Sequence, residues 1–392
     1  MRVTIKDVAL RAGVSMNTVS RVINDRPDVN PETRQRVRET VDTLGYRPNA
    51  LARSLLRRQS RTIGHVVPNY ANPNVASQLQ AVQEVMTDAG YTVISFDTQE
   101  RSATQRVALQ ALEENVADGL IMTPVSSRDD GLSRLSARIP LVLTNREVDG
   151  LDVDRVVTDN ALGARLAIEH LVGLGHRTIG YITSSREVST VQDRVAGYRV
   201  ALEAAGLHPE SGLVIRAEAS IEAAVEATRT ILQRRRRPTA LFVYNDFMAV
   251  GVLSALLELG LRVPDDVAIV GFDDIIYAPY LRVPLTTVSQ QTEAIGRTAA
   301  RLLLARMEDG SRPPERVVLE PHLVVRASTT GSWHEADARA AGRDQWDPPG
   351  GSRLRSRGGG TPRHGAGPWP DHGGRSGRER PADERDPDDP TS

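Results

Sequence analysis

From residue 61 to residue 330 the chain alternates short runs of β-branched and aliphatic residues with longer amphipathic segments, and this rhythm limits the possible folds most sharply. Apolar runs fall at 62–67, 92–96, 119–123, 141–144, 155–157, 178–182, 213–215, 240–243 and 267–271. Amphipathic segments such as 78–89, 161–174 and 249–259 lie between most of them. A strand that is apolar at every position has both faces covered, and strands separated by helices pair in parallel. Nine such strands suit two α/β sheets better than one. With aromatics at only 4%, the cores are expected to be built from Val, Leu, Ile and Ala.

The rest of the chain has a different character. Its 392 residues exceed what one core can organise. From Trp333 to Ser392 the composition turns to Gly, Pro, Arg and Asp, too poor in aliphatics to offset the entropy of ordering, so a disordered tail is expected. His334, His364 and His372 are too scattered in that tail to hold a metal. The absence of cysteine excludes disulfides and thiolate metal sites. No run approaches the roughly eighteen apolar residues of a membrane span, and the first residues do not form a signal peptide. No metal and no cofactor is expected, and the chain is read as cytoplasmic.

Residues 1–60 hold twelve Lys or Arg against six Asp or Glu, a balance of +6 in a chain whose net charge is −1. A basic head on an acidic body is an electrostatic footprint for DNA. Three short helices are expected there: about 5–12, 16–23 and 31–44. Gly13 supplies the freedom for a tight turn, Ser15 is a ready N-cap, and Asn30–Pro31 is a start signal. This is the pattern of a helix-turn-helix, whose second helix enters the major groove. Near the start of that helix stand Met16 and Asn17, with Arg21 one turn on. Asn pairs bidentately with adenine and Arg with guanine, and Met16 offers an apolar contact to a thymine methyl. Ser15, Thr18, Asn24 and Tyr46 are candidate phosphate donors, and Lys6 adds to the basic surface. Ser15 and Thr18 also read as plain cap and surface residues.

The stretch TIKDVALRAGVSMNTVSRVIN, then PETR at 31–34, then GYRPNALARSL, closely resembles the start of LacI/GalR-family bacterial repressors. The likeness runs to about residue 328. It implies a helix-turn-helix head (1–46), a hinge helix or linker (47–60) and an effector-binding, dimerising core (61–330) ahead of the tail (331–392). The implied core is an α/β pair of subdomains like periplasmic sugar-binding proteins, with chain crossovers near 160, 289 and 320. The implied hinge spans 48–55, with Asn49, Ala52 and Arg53 on DNA and Leu55 wedging a minor-groove base step.

The same resemblance implies an effector in the cleft between the subdomains. Matching pocket positions are Asn74, Asn145, Arg146, Asp159, Arg194, Asn245 and Asp273, a set suited to a hydroxyl-rich ligand. Asp159 and Asn160 also read as helix caps, as does Asp246 before Phe247, and Asp274 as a cap for its loop. Two aromatic walls of many sugar-responsive members are missing: Asn72–Pro73 is followed by Asn74 and Val75, and Ala219 stands where a stacking aromatic aligns. Tyr70 or Phe247 is a candidate replacement. The expected partners are double-stranded, near-palindromic operator DNA, a small polar effector and a second copy of the chain, with 78–89 and 249–259 as candidate dimer helices. The family's tetramer-forming leucine heptad is absent after Ser332. An enzyme is the competing class, but GxxxxGK, GxSxG and HExxH are all missing. A stand-alone solute-binding protein is the other, and it has no use for the basic head.

Overall fold

A computed structural model describes residues 3–46, 60–114, 117–208 and 211–331. Three helices come first: α1 (Ile5–Ala12), α2 (Met16–Ile23) and α3 (Pro31–Leu44). The first turn of a helix leaves backbone N–H groups unpaired, and side-chain oxygens satisfy them here. Thr4 and Asp7 form a reciprocal capping box, Ser15 accepts from the Thr18 N–H, and Asn30 accepts from Glu32 beside Pro31. The turn between α1 and α2 passes through Gly13 at φ 66°, a left-handed conformation that suits a residue without Cβ. Val8, Ala12, Val19, Val22 and Val37 close a small apolar core. Arg36 Nε ties α3 to the end of α1 by donating to the Ala12 carbonyl at 3.1 Å.

The longer part of the chain forms two sheets. The first subdomain begins with β1 (Thr62–Val67), α4 (Pro73–Asp88), β2 (Thr92–Asp97), α5 (Ser102–Glu114), β3 (Gly119–Met122), α6 (Asp130–Ser136), β4 (Leu141–Thr144) and β5 (Asp154–Thr158). The second follows with α7 (Asn160–Gly173), β6 (Ile179–Ser184), α8 (Ser189–Ala204), β7 (Val214–Ala217), α9 (Ile221–Leu232), β8 (Ala240–Val243), α10 (Asp246–Glu258), β9 (Ala268–Asp273) and β10 (Thr286–Ser289). The chain then returns to the first for α11 (Thr292–Glu308) and β11 (Arg316–Leu319), and finishes in the second with β12 (His322–Val324) and α12 (Ala327–Thr330). The strand orders are β11-β5-β4-β3-β1-β2 and β12-β10-β9-β8-β6-β7. All pairings are parallel except β12 against β10.

The expected α/β class is the observed one, with three corrections. Twelve strands stand among the described residues where nine were expected, the additions being β10, β11 and β12. β11 and β12 are short edge strands. β10 is internal but polar in sequence: its buried Thr286 and Thr287 hydroxyls donate to the Arg326 carbonyl and to Asp246. Secondly, β12 makes the second sheet mixed rather than wholly parallel. Thirdly, the second core is not purely aliphatic. Four of the chain's few aromatics, Tyr181, Tyr198, Phe242 and Phe272, are its largest fully buried side chains, and the Tyr181 and Phe242 rings stack at 4.6 Å.

Close helix packing depends on glycine at several crossings, most tightly at Gly197. Gly197 on α8 lies against α7, where a Cβ would stand 2.2 Å from the Ala161 carbonyl oxygen. The three crossovers between subdomains run side by side. Thr158 donates its hydroxyl to the Gln290 carbonyl at 3.2 Å, the Asp159 N–H donates to Leu319, and Gln291 Nε2 donates to Glu320. The three connecting backbone segments are thus tied to one another where the subdomains join.

Candidate functional site

Parallel strands deliver their carboxyl ends, and the loops that follow, to one edge of a sheet. In this chain the two such edges face each other across a cavity of about 70 Å³. Its wall is built strand by strand. Pro68 and Asn69 follow β1, Thr123 follows β3, Asn145 and Arg146 follow β4, Tyr244 and Asn245 follow β8, Asp273 ends β9, and Gln290 follows β10.

Six of the seven residues expected to contact an effector meet at this cavity: Asn74, Asn145, Arg146, Arg194, Asn245 and Asp273. Asn74, in the first turn of α4, accepts from the Thr292 hydroxyl of α11. Asn145, at φ 62°, donates through Nδ2 to Gln78 Oε1 at 3.0 Å, which leaves its Oδ1 and the Gln78 Nε2 buried without partners among the described residues. Arg194 is buried on α8, where Nε donates to Asn160 Oδ1 at 2.8 Å and Nη1 to the Tyr244 carbonyl. Its guanidinium lies 3.5 Å over the Phe272 ring, which fixes the fork in the cavity wall. Asn245 is the N-cap of α10, accepting from the Met248 N–H. Asp273 accepts from Gln290 Nε2 at 2.8 Å. Burial pushes its carboxyl up to about 7, against the pull of the nearby Arg194 charge.

The seventh residue does not join them. Asp159 caps α7 through the Leu162 N–H at 2.9 Å and faces a separate depression beside Arg165 and Val200. Its helix starts one residue after the crossover, so the capping geometry turns the carboxylate away from the cleft. Two other readings change as well. Asp246 is not the cap of α10 but its first residue, wholly buried, accepting from Thr287 Oγ1 and the Ile275 N–H. Asp274 pairs with Arg326 at 2.7 Å rather than capping a loop. Ala219 and Phe247 both line the cavity, whereas Tyr70 stands outside its wall, 45% exposed.

The helix-turn-helix forms a second surface. Met16 and Asn17 project from the first turn of α2 and are exposed, as are Lys6 and Arg21. Arg21 holds Asp28 at 2.9 Å, both half exposed, so its guanidinium already has a competing partner. Ser15 and Thr18 bond each other at 2.9 Å, and Asn24 Nδ2 donates to the Ser20 carbonyl at 2.7 Å, so all three have structural duties. Tyr46 is half-buried against the helical core. Asn49, Ala52, Arg53 and Leu55, with the hinge itself, lie outside the described residues.

Residues 4–49 match the bacterial regulatory proteins of the lacI family, and residues 168–329 match a periplasmic binding protein-like domain. The HTH-type transcriptional repressor PurR of Photobacterium profundum is 37% identical over 328 residues, covering 83% of this chain and 98% of that protein. The chain belongs to the LacI family. A ribose operon repressor of Haemophilus influenzae is 35% identical with the same coverage of both chains, so this LacI-family member spans nearly the full length of its relatives. The solved lac repressor dimer, bound to operator and the anti-inducer ONPF, superposes with a TM-score of 0.75 at 30% identity, covering 84% of this chain and 99% of that one. These relatives are transcriptional regulators, not enzymes, and this chain is a transcriptional regulator of the same kind. Among the described residues no helix is long and apolar enough to cross a membrane.

Sequence reading missed several cavity residues of this LacI-family regulator: Asn69, Glu100, Thr123, Thr190, Tyr244 and Gln290. A usable signal existed for four of them. Asn69, Thr123, Tyr244 and Gln290 each stand within two residues of a parallel strand's carboxyl end, where such sheets place their ligands. Gln290 was hidden because β10 itself was not anticipated. Glu100 carries no local signal.

Proposed function

We propose that this regulator binds an uncharged, hydroxyl-rich effector of sugar-like size in the cleft, and that the effector sets its affinity for operator DNA. The observation that carries this reading is the chemistry of the cavity wall. Carboxamides from Asn69, Asn72, Asn74, Asn145, Asn245 and Gln290 surround it, joined by the edge of the Arg194 guanidinium that its protein acceptors leave over. Carboxamides offer both a donor and an acceptor without charge, which matches hydroxyl groups that do the same. Ala219 leaves one wall without a ring to stack on a flat heteroaromatic base, which favours a small polyol over a purine.

In the same reading Asn17, Met16 and Arg21 contact base edges, while Lys6, Ser15, Thr18, Asn24 and Tyr46 contact phosphates. Asn49, Ala52, Arg53 and Leu55 of the hinge act in the minor groove. The active unit is a homodimer on a near-palindromic operator, working at the bacterial nucleoid in the cytoplasm. An apolar groove along α10, lined by Val250, Leu253, Leu257 and Leu281, supports a dimer face there. Effector binding rotates the subdomains about the three crossovers and so changes how paired heads meet DNA.

A thermal-shift screen of the full chain against aldopentoses, hexoses, polyols and nucleosides tests the effector class, since a ligand bound only to the folded form raises its stability. Stabilisation by a sugar or polyol that also changes operator affinity in a gel shift is expected. A response confined to nucleobases would sink the reading.

A further inference from the structure

The cleft holds an ion pair that effector binding by itself does not require. Glu100 and Arg146 meet fork to fork, Nη1 to Oε2 at 2.8 Å and Nη2 to Oε1 at 2.6 Å. Both side chains are nearly buried, 13% and 8% exposed. Arg146 Nη1 also donates to the Pro124 carbonyl at 3.0 Å. Burial alone would weaken the guanidinium's hold on its proton, but the charge and hydrogen bonds of Glu100 more than reverse that, so Arg146 stays cationic.

Glu100 reaches this position through an unusual turn. Gln99 and Glu100 are both left-handed, at φ 51° and 56°, which L side chains rarely adopt. The turn is fastened back onto the end of β1 by the Glu100 N–H donating to Pro68, and onto Asp97 by the Gln99 N–H at 2.8 Å. From the other subdomain Arg186 donates to the Glu100 carbonyl at 2.6 Å. The loop after β2 thus folds over the sheet edge and lays a carboxylate on the arginine that follows β4.

A buried guanidinium at the wall of a ligand cleft is the group best matched to a carboxylate or phosphate. In this cleft that fork is already filled. We propose that Glu100 is a built-in stand-in for an anionic ligand, occupying Arg146 and making the cleft reject carboxylates and phosphates in favour of uncharged polyhydroxyl molecules. The remaining charges agree with this. Arg194 directs Nε and Nη1 at protein acceptors, and Asp273 accepts from Gln290, so what faces an incoming ligand is mostly amide and hydroxyl. The inference rests on the cleft being the effector site.

Sulfate, a small anion that matches an arginine fork, is the probe. Isothermal titration is run on the full chain as wild type, as Glu100→Gln and as Glu100→Gln with Arg146→Gln, with ionic strength held constant by sodium chloride. Glu100→Gln is expected to bind sulfate roughly tenfold or more tightly than wild type, because one charge-assisted hydrogen bond is worth that much. The double variant is expected to fall back to the wild-type level. Equal sulfate binding by wild type and Glu100→Gln overturns the proposal, and so does a gain that survives loss of Arg146. Far-UV circular dichroism verifies folding. Should Glu100→Gln not fold, the unaltered chain decides: sulfate bound by wild type and lost in Arg146→Gln overturns the idea, and no such binding upholds it. A screen in which no sugar binds would count against the effector reading, while the sulfate comparison still judges Glu100.

Discussion

His65 offers a prediction in which one buried group sets the acid sensitivity of the first subdomain. It sits in the middle of β1 between β2 and β3, fully buried, and neither ring nitrogen has a hydrogen-bond partner among the described residues. Strand alternation puts it on the same face as Ile63, whose apolar cluster is formed with Val82, Met86 and Ile295 of α4 and α11. An imidazolium there would lose its hydration with nothing in exchange, so burial pushes the pKa down from 6.5 to about 4. The unfolded chain therefore takes up a proton below pH 6.5 that the folded chain refuses until about 4. Stability falls as pH drops through that window, and the full difference corresponds to about 3 kcal/mol. His65→Leu removes the titration, and it also removes buried unpaired polar atoms that cost about 1–3 kcal/mol. The variant is expected to match or exceed wild type at neutral pH and to lose about 3 kcal/mol less on acidification. Urea unfolding followed by far-UV circular dichroism measures this at several pH values. If the gap between variant and wild type stayed constant from neutral pH down to 4, the reasoning about His65 would be wrong.

Three further outcomes are expected. Gly197→Ala places a methyl 2.2 Å from the Ala161 carbonyl and forces α7 and α8 apart, so the melting temperature should drop by the equivalent of about 1–3 kcal/mol; an unchanged melting temperature would contradict that packing. Asp273 keeps its proton up to about 7 when folded but loses it near 3.8 when unfolded, so its contribution to stability is present at low pH and declines as pH rises through that interval. Asp273→Asn should remove that decline in a pH series of melting curves, and a slope as steep as wild type's would count against the raised pKa. Asn17→Ala should weaken specific operator binding by about 1–3 kcal/mol in a gel shift and leave nonspecific binding nearly unchanged; equal losses would remove Asn17 from base reading.

The parts of this protein that were legible without a structure are those whose physical cause lies within a few residues. Gly13, Ser15 and Asn30–Pro31 bound their helices because capping and left-handed turns are local events. The alternation of buried strands with amphipathic helices pointed to two α/β sheets for the same reason, since each run reports its own burial. The strands that escaped notice, β10 above all, are those whose burial rests on distant partners: Thr287 is a core residue only because Asp246 is there to accept its hydroxyl.

The cleft divides along the same line. The family resemblance marked Asn145, Arg146, Asn245 and Asp273 as candidates from sequence, but not what each would be doing. Tertiary structure decided that Arg146 is already matched by Glu100, 46 residues away, and that Asn74 bonds Thr292 across 218 residues. It also turned Asp159 away to cap α7. A charge's role depends on its neighbours within a few ångströms, and only folding sets which residues those are. Sequence alone thus determined a DNA-reading head and a two-sheet core, while the folded chain decided which of the cleft's charges remain available to a ligand.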